Sequence, residues 1–298
     1  MKKILFTLLL FLALQIGFSQ QAYIVENDDP IVQDKLTSRK GQFFASWGWN
    51  RSSYSASDIH FKGNDYDFTL FDVKARDKPN PFGIKFFSPS DLTLPATNAK
   101  LGYFFKDNYN VVLGLDHMKY VMYQDVDVAI TGTINTGDFD FEQTDGIVTY
   151  NYDGVYDNDI INTRSEFLQF EHTDSLNYIY VAVNRFDNFN KLLGITTDKF
   201  QVNLEEGIDA GFLYPKTNVT ILGRKRHDDF NVAGFGLSMK AGLNLTFYNH
   251  FYLQTDFKYG YINMPNIKTT HSDSDSASQH FSFFESAYTF GYRFSLGS

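Results

Sequence analysis

The sequence predicts an all-β fold, a transmembrane antiparallel up-and-down β-barrel of about eight strands with long outer loops. Three observations predict it. The first is long, strict alternation near the C-terminus. Over residues 235–247 one set of alternate positions reads Phe235, Leu237, Met239, Ala241, Leu243, Leu245 and Phe247. The other reads Gly236, Ser238, Lys240, Gly242, Asn244 and Thr246. Period two means a strand with one apolar and one polar face. The second is length. Strands of soluble domains run about 5–6 residues, whereas these reach the roughly 9–11 that a membrane crossing needs, with Phe and Tyr at their ends. The third is the polar face, which mixes Lys240, Asp256, Lys258, Glu285 and Arg293 with glycines, as a filled lumen would.

Residues 1–19 read as a signal peptide: Met1-Lys2-Lys3 is basic, 4–16 is almost wholly apolar, and Gly17-Phe18-Ser19 offers small residues for cleavage before Gln20. Residues 20–40 read as a polar periplasmic N-terminal extension and 41–298 as the barrel. No later segment has the apolar length of a spanning helix. Of the 298 residues 17% are aromatic, which suits interfacial girdles, and none is cysteine, which excludes disulfides and thiol chemistry. A net charge of −9 argues against nucleic acid as a partner.

Strand one is 41–50, with Phe43, Ala45, Trp47 and Trp49 on one face. Residues 51–92 form a long connection, with room for a hairpin turning at Gly63-Asn64; Pro79, Pro81 and Pro89 exclude a central strand there. Ala99, Leu101, Tyr103 and Phe105 mark strand two, and 106–108 is a tight turn. Strand three puts Val111, Leu113 and Leu115 on lipid and Asn110, Gly114 and Asp116 inside. Residues 123–174 then hold twelve carboxylates and a single basic residue, Arg164, a local charge of −11. Their Thr, Ile, Val, Phe and Tyr content predicts hairpins above the membrane. Ile179, Val181 and Val183 mark strand four. Val202, Leu204, Ile208, Ala210 and Phe212 mark strand five, with Glu206 breaking the row and suggesting a bulge. Residues 216–230 are the third long loop and 265–279 the fourth; strands six, seven and eight complete the chain. Connections alternate long and short, which puts both termini in the periplasm. Ten strands result if 59–73 or 165–173 spans.

The signal peptide, the alternating strands and the terminal Tyr288-Thr289-Phe290-Gly291-Tyr292-Arg293-Phe294 resemble those of small Gram-negative outer-membrane barrels. That group includes OmpA-type, OmpX-type and OmpW-type proteins and the lipid A deacylase PagL, and the chain looks like the outer-membrane barrels common in Bacteroidetes. The likeness covers roughly 40–298 as a pattern and implies fold and location, not one activity. The chain departs from many such barrels in ending Leu296-Gly297-Ser298 rather than on Phe.

Asp116, Glu205, Asp209, Lys240, Asp256, Lys258, Glu285 and Arg293 should point inward, where opposite charges most simply form a salt-bridged plug; a narrow path is the alternative. Near the outer strand ends lie Asp58-Ile59-His60, Asp116-His117 and Glu171-His172-Thr173-Asp174. Together, Asp58, His60, Asp116, His117, Glu171 and His172 could hold a divalent cation, and His60, His117, His172, Glu171 and Asp174 could pair a base with an acid. Their spacing is not diagnostic. His280 and Ser282 share one outward row, and PagL-type enzymes use a His-x-Ser pair with a Glu; here Glu285 falls on the other face. The acidic loops could bind Ca²⁺ or Mg²⁺ bridging to lipopolysaccharide phosphates, but no run matches a calcium loop, and no other cofactor is implied. The expected partners are outer-membrane lipid, lipopolysaccharide and the barrel-assembly machinery, and the expected state is a monomer. The functional reading is a surface-binding or structural barrel, leaning away from an enzyme. A small-solute channel and a lipid-modifying hydrolase at the outer rim are its rivals.

Overall fold

A computed structural model describes residues 38–79, 96–197, 199–226 and 229–296. The expectations for the signal peptide and most of the N-terminal extension lie outside the described residues. The strands are β1 (Gln42–Tyr54), β2 (Ser57–Lys62), β3 (Tyr66–Val73), β4 (Ala75–Arg76), β5 (Thr97–Lys106), β6 (Tyr109–Met122), β7 (Asp127–Ile134), β8 (Phe139–Gln143), β9 (Gly146–Tyr150), β10 (Gly154–Asn162), β11 (Leu168–Asn188), β12 (Phe200–Ile221), β13 (Gly234–Phe247), β14 (Phe251–Lys268) and β15 (Ser276–Ser295).

Eight of these close a ring in the order β1-β5-β6-β11-β12-β13-β14-β15. β15 pairs back onto β1 from Gln42↔Ser295 to Tyr54↔Phe283, so the ring has no free edge there. Every neighbouring pair is antiparallel. The two segments that would have made ten strands do not span separately. Residues 59–73 belong to the β2–β3 hairpin, and 165–173 includes the first residues of β11. Glu206 causes no bulge: it stays in continuous register opposite Arg185 on β11 and Ala241 on β13. Its carboxylate sits on the outward row without disturbing the backbone.

Short turns join the strands at one end. Residues 248–250 are one, where Tyr248 (φ 50°) and Asn249 (φ 63°) take the left-handed conformation that a two-residue hairpin turn requires. The pleat gives each strand an outward apolar row. On β13 it runs from Phe235 to Phe247, which at the usual rise and tilt covers roughly 30 Å, the thickness of a hydrocarbon core. Aromatic residues border this band at both ends: Phe43, Tyr103, Phe247 and Tyr292 at the short-turn end, Tyr214 and Tyr261 at the other.

At the long-loop end β11, β12, β14 and β15 run on past the band. β12 reaches Ile221 and β14 reaches Lys268, so strand occupies stretches that the sequence reading placed in loops. Where β1 leaves β15 at Tyr54, β2 replaces it, pairing Ser276↔Lys62 to Gln279↔Ile59. The sheet continues β2-β3-β7-β10, and β8–β9 forms a separate two-stranded ribbon. Those additional strands come from the first two long connections. They enclose a dry core of Ile59, Phe61, Phe68, Leu70, Ile130, Phe167, Phe170, Leu176, Val219, Ile221, Met264 and Phe281, all with at most 2% exposure. This outer part is called the head below.

Candidate functional site

The inward rows of the ring carry the lumenal charges. Asp116, Glu205, Asp209, Lys240, Asp256, Lys258, Glu285 and Arg293 are all buried, and all sit on the row that faces the barrel axis. Most of them fall into two clusters. In the first, Lys100 Nζ donates to Asp256, and Lys240 Nζ lies 3.3 Å from Glu205 and 3.7 Å from Asp256. Asn110 Nδ2 donates to Glu205 Oε1 at 3.2 Å, and Gln254 bridges Glu205 and Asp256. In the second, Lys258 Nζ donates to Asp116 and lies 3.5 Å from Asp209. Tyr178 and Ser238 each donate to Asp209 at 2.6 Å, and Lys258 Nζ stands 3.9 Å above the Tyr180 ring. Asn98 links Asp116 to Glu285, donating to the latter at 3.0 Å. Buried ions are tolerable only when paired and hydrogen-bonded; the lysine–carboxylate pairs of both clusters meet that condition, while Glu285 accepts only from Asn98 and its Oε2 has no partner.

Sequence reasoning missed two lumenal cations. Lys100 lies on the polar row of β5, beside Asn98 and Gly102; the reading named only the apolar row of that strand. Arg39 was assigned to the N-terminal extension, but it enters the short-turn mouth. There it donates to Asn203 Oδ1 at 3.2 Å and stacks 4.9 Å from the Phe186 ring centre. Asp107 holds this entry in place, accepting from Ser38 Oγ at 2.6 Å and from the amides of Arg39 and Lys40 at 2.9 and 3.0 Å. Those bonds keep the Asp107 carboxyl below its ordinary pKa. Of the eight charges first assigned inward, five are acids and three are bases; Lys100 and Arg39 bring the bases to five.

The outer histidines do not converge. His60 Nε2 meets Asp67 Oδ1 at 2.7 Å across the exposed side of the β2–β3 hairpin. His117 Nδ1 meets Asn177 Oδ1 at 2.8 Å on the outward row, while Asp116 beside it points into the lumen. His172 is buried in the head, with Thr217 Oγ1 2.9 Å from Nδ1 and Gln279 Nε2 3.3 Å from Nε2. Gln279 thus donates, and His172 gives its single proton to Thr217. Burial pushes the His172 pKa down to about 3. Glu171 accepts from Asn218 Nδ2 at 2.8 Å and Thr173 Oγ1 at 3.0 Å, and Asp174 pairs with Arg226 at 2.9 Å. Among the described residues no group of three or more His, Asp or Glu side chains could hold a metal ion. The set Asp58, His60, Asp116, His117, Glu171 and His172 is dispersed because successive strand residues face opposite ways.

His280 and Ser282 have a different setting. At the point where β1 leaves β15 and β2 has yet to join, the wall opens. Ser55 N donates to Ser282 O at 2.9 Å, and Ser282 N turns to the Ser55 hydroxyl at 3.1 Å instead of a carbonyl. A notch of about 220 Å³ forms there, lined by Asp58, Asp72, Tyr261, His280 and Ser282 among others. Asp72 adopts a left-handed φ of 52°, and its amide donates to Asp58 Oδ1 at 3.0 Å. Glu285 lies on the inward face, as the alternation predicts, but Asp58 and Asp72 bring carboxylates to the notch from another hairpin. Asp72 was missed, since only the β2–β3 pairing places it here.

No family model matches the chain, and no curated protein does. Among solved structures it is similar to the outer membrane protein OprG from Pseudomonas aeruginosa, at 11% identity and TM-score 0.39, with 88% of this chain and 99% of that one covered. The attachment invasion locus protein Ail of Yersinia pestis gives 12%, 0.31, 86% and 99%. The outer membrane protease OmpT from Escherichia coli gives 8%, 0.34, 87% and 98%. The barrel stands on this chain's own closed ring of strands, and these likenesses bring it no ligand, substrate or activity.

Proposed function

We propose that the chain is a Gram-negative outer-membrane protein, of the kind common in Bacteroidetes, whose shut barrel supports a folded, acidic extracellular head that acts by binding. The filled lumen carries this reading. Two ion clusters cross it, and the cavity at its short-turn end has about 10 Å³. A side-chain plug this dense leaves no aqueous path of porin kind. The signal peptide and the apolar band support the outer-membrane location, with lipid and lipopolysaccharide around the barrel, assembly by the barrel machinery, and a monomeric state. Planar-bilayer recording tests the reading: the purified protein should give no conductance steps, and steady steps would make it a channel. The protein should also fractionate with the outer membrane and migrate differently on gels when unheated.

The notch favours a second reading, a lipid-modifying hydrolase at the outer rim. Ser282 and His280 share a row at the upper limit of the apolar band, and Asp58 and Asp72 line the same notch. A serine nucleophile needs a histidine base and an orienting acid. In that reading Ser282 Oγ attacks an ester carbonyl as His280 takes its proton, the acyl–oxygen bond breaks and His280 passes the proton to the departing lipid alcohol, and water then hydrolyses the acyl-enzyme. Acyl release from outer-membrane lipid, lost in Ser282→Ala, would establish it; no release from wild-type protein would discard it.

A further inference from the structure

Arg293 presents a physical problem that the two ion clusters do not solve. Its side chain is 2% exposed, and Nε has no hydrogen-bond partner. No carboxylate of the described residues pairs with it; its contacts are the rings of Phe104 and Phe186, 5.1 and 5.3 Å away. Arg39 stacks on the same Phe186 ring and bonds only neutral oxygens. Two guanidinium groups thus share one end of the lumen; Asp107 and Asp187 face Arg39, while no carboxylate of the described residues forms an ion pair with Arg293. A buried, unpaired cation is among the costliest arrangements a protein can hold.

Arg293 lines the small cavity at this end, and so does Tyr252, whose hydroxyl also lacks a partner. Two orphan donors therefore border one space. Glu205 lines it too, but its oxygens already accept from Asn110 and Gln254, and Lys240 lies 3.3 Å away. What Arg293 Nε lacks is an acceptor of its own. The size of the space limits the choice. About 10 Å³ admits one small occupant, which favours a monatomic anion over phosphate, sulfate or a carboxylate.

We propose that this cavity is a binding site for a single halide ion, chloride in the cell, held by Arg293 Nε and the Tyr252 hydroxyl with Arg39 adding positive charge. The site goes beyond the surface-binding role: it makes the barrel's stability depend on a monatomic anion. A ligand bound only by the folded state raises the folded-to-unfolded ratio in proportion to its concentration once above its dissociation constant, tenfold per decade.

Urea unfolding of the full chain in lipid bilayers, at constant ionic strength with gluconate replaced stepwise by chloride or bromide, tests this. The wild-type midpoint should rise with either halide. Arg293→Met, which keeps the stem and removes the donors, should abolish the rise. If Arg293→Met fails to assemble, Tyr252→Phe keeps the ring and should weaken halide dependence several-fold. Bromide soaked into crystals should give an anomalous peak beside Arg293. A wild-type midpoint equal in chloride and gluconate would overturn the proposal and leave the space to a water molecule. A halide response unchanged in Tyr252→Phe and in whichever arginine variant folds would overturn it as well.

Discussion

On β12 the inward row reads Gln201, Asn203, Glu205 and Asp209 up to Gly211, then Leu213, Pro215, Thr217, Val219 and Ile221, with Thr217 paired to His172. The outward row reads Val202, Leu204, Glu206, Ile208, Ala210, Phe212 and Tyr214, then Lys216, Asn218 and Thr220. β14 makes the same exchange, with Gln254, Asp256 and Lys258 inside below Gly260 and Ile262, Met264 and Ile267 inside above it. One strand thus runs through two regions with opposite rules. In the spanning region the medium outside is hydrocarbon, so the apolar row faces out and polar groups must satisfy one another within. In the head the medium is water, and the same pleat turns the apolar row inward. The backbone does not change at the boundary; the solvent does. Tyr178 and Phe283, with ring centres 6.4 Å apart, sit inside at the level of the exchange and floor the dry core above the ions.

The largest expected effect comes from breaking the polar interior. Lys258→Met leaves Asp116 and Asp209 buried without their cation and should cost about 3–5 kcal/mol in urea unfolding from bilayers. A cost under 1 kcal/mol would mean that water reaches the lumen freely.

A sharper contrast uses the outward rows. Leu243→Arg puts a charge on lipid at mid-strand and should cost roughly 2–4 kcal/mol. Thr220→Arg, on the outward row of the head, should stay within about 0.5 kcal/mol. Equal costs at the two positions would place the head's wall in the bilayer and erase the boundary.

Mild acid should strike the head first. His172 has its pKa depressed to about 3, so it stays neutral in the folded head while the unfolded chain takes up a proton below about 6.5. Stability is therefore whole above that value and falls as the pH drops toward 3. The loss should reach about 2 kcal/mol at pH 5. Hydrogen exchange should show the head opening first, and His172→Gln should flatten the response between pH 6.5 and pH 5. An unchanged slope in that variant would assign the sensitivity elsewhere.

The smallest effect should follow removal of the β8–β9 ribbon. It forms its own sheet, so joining Gly137 to Tyr152 by a short turn should leave barrel assembly and heat-modifiable migration unaltered. A deletion extended to Asp159 would cut into β10, whose pairing with β7 completes the head sheet, and should loosen the head.

The spanning strands were legible because alternation and length specify both strand and face once hydrocarbon is taken as the outer medium. The head was not, and β12 shows why. The inside–outside alternation continues past Phe212, but the reading followed the outward apolar row, and beyond Tyr214 that row turns polar. The apolar residues beyond it have merely changed sides, so a strand reaching Ile221 was taken for a loop from residue 216. Lys100 was legible in principle, as the polar partner of Ala99 and Leu101. Arg39 was not, since a single arginine in a polar segment gives no sign of entering a lumen. The notch needed Asp58 and Asp72 from one hairpin and His280 and Ser282 from the last strand, a meeting that only the β15–β2 pairing creates.

The lumenal pairs also set a schedule. Lys100 and Asp116 belong to the first half of the chain, and their partners, Asp256 and Lys258, lie 156 and 142 residues later on β14. A chain delivered from its N-terminus therefore holds early charges whose native ion-pair partners arrive only with its penultimate strand. Hairpins β5–β6 and β11–β12 can form on local contacts, but each keeps a hydrated polar face and has no reason to curl. Curvature becomes favourable only when β14 and β15 supply the counter-charges and β15 finds β1. Closure should then be the slow, final and most cooperative event, because long-range pairing must precede its own reward.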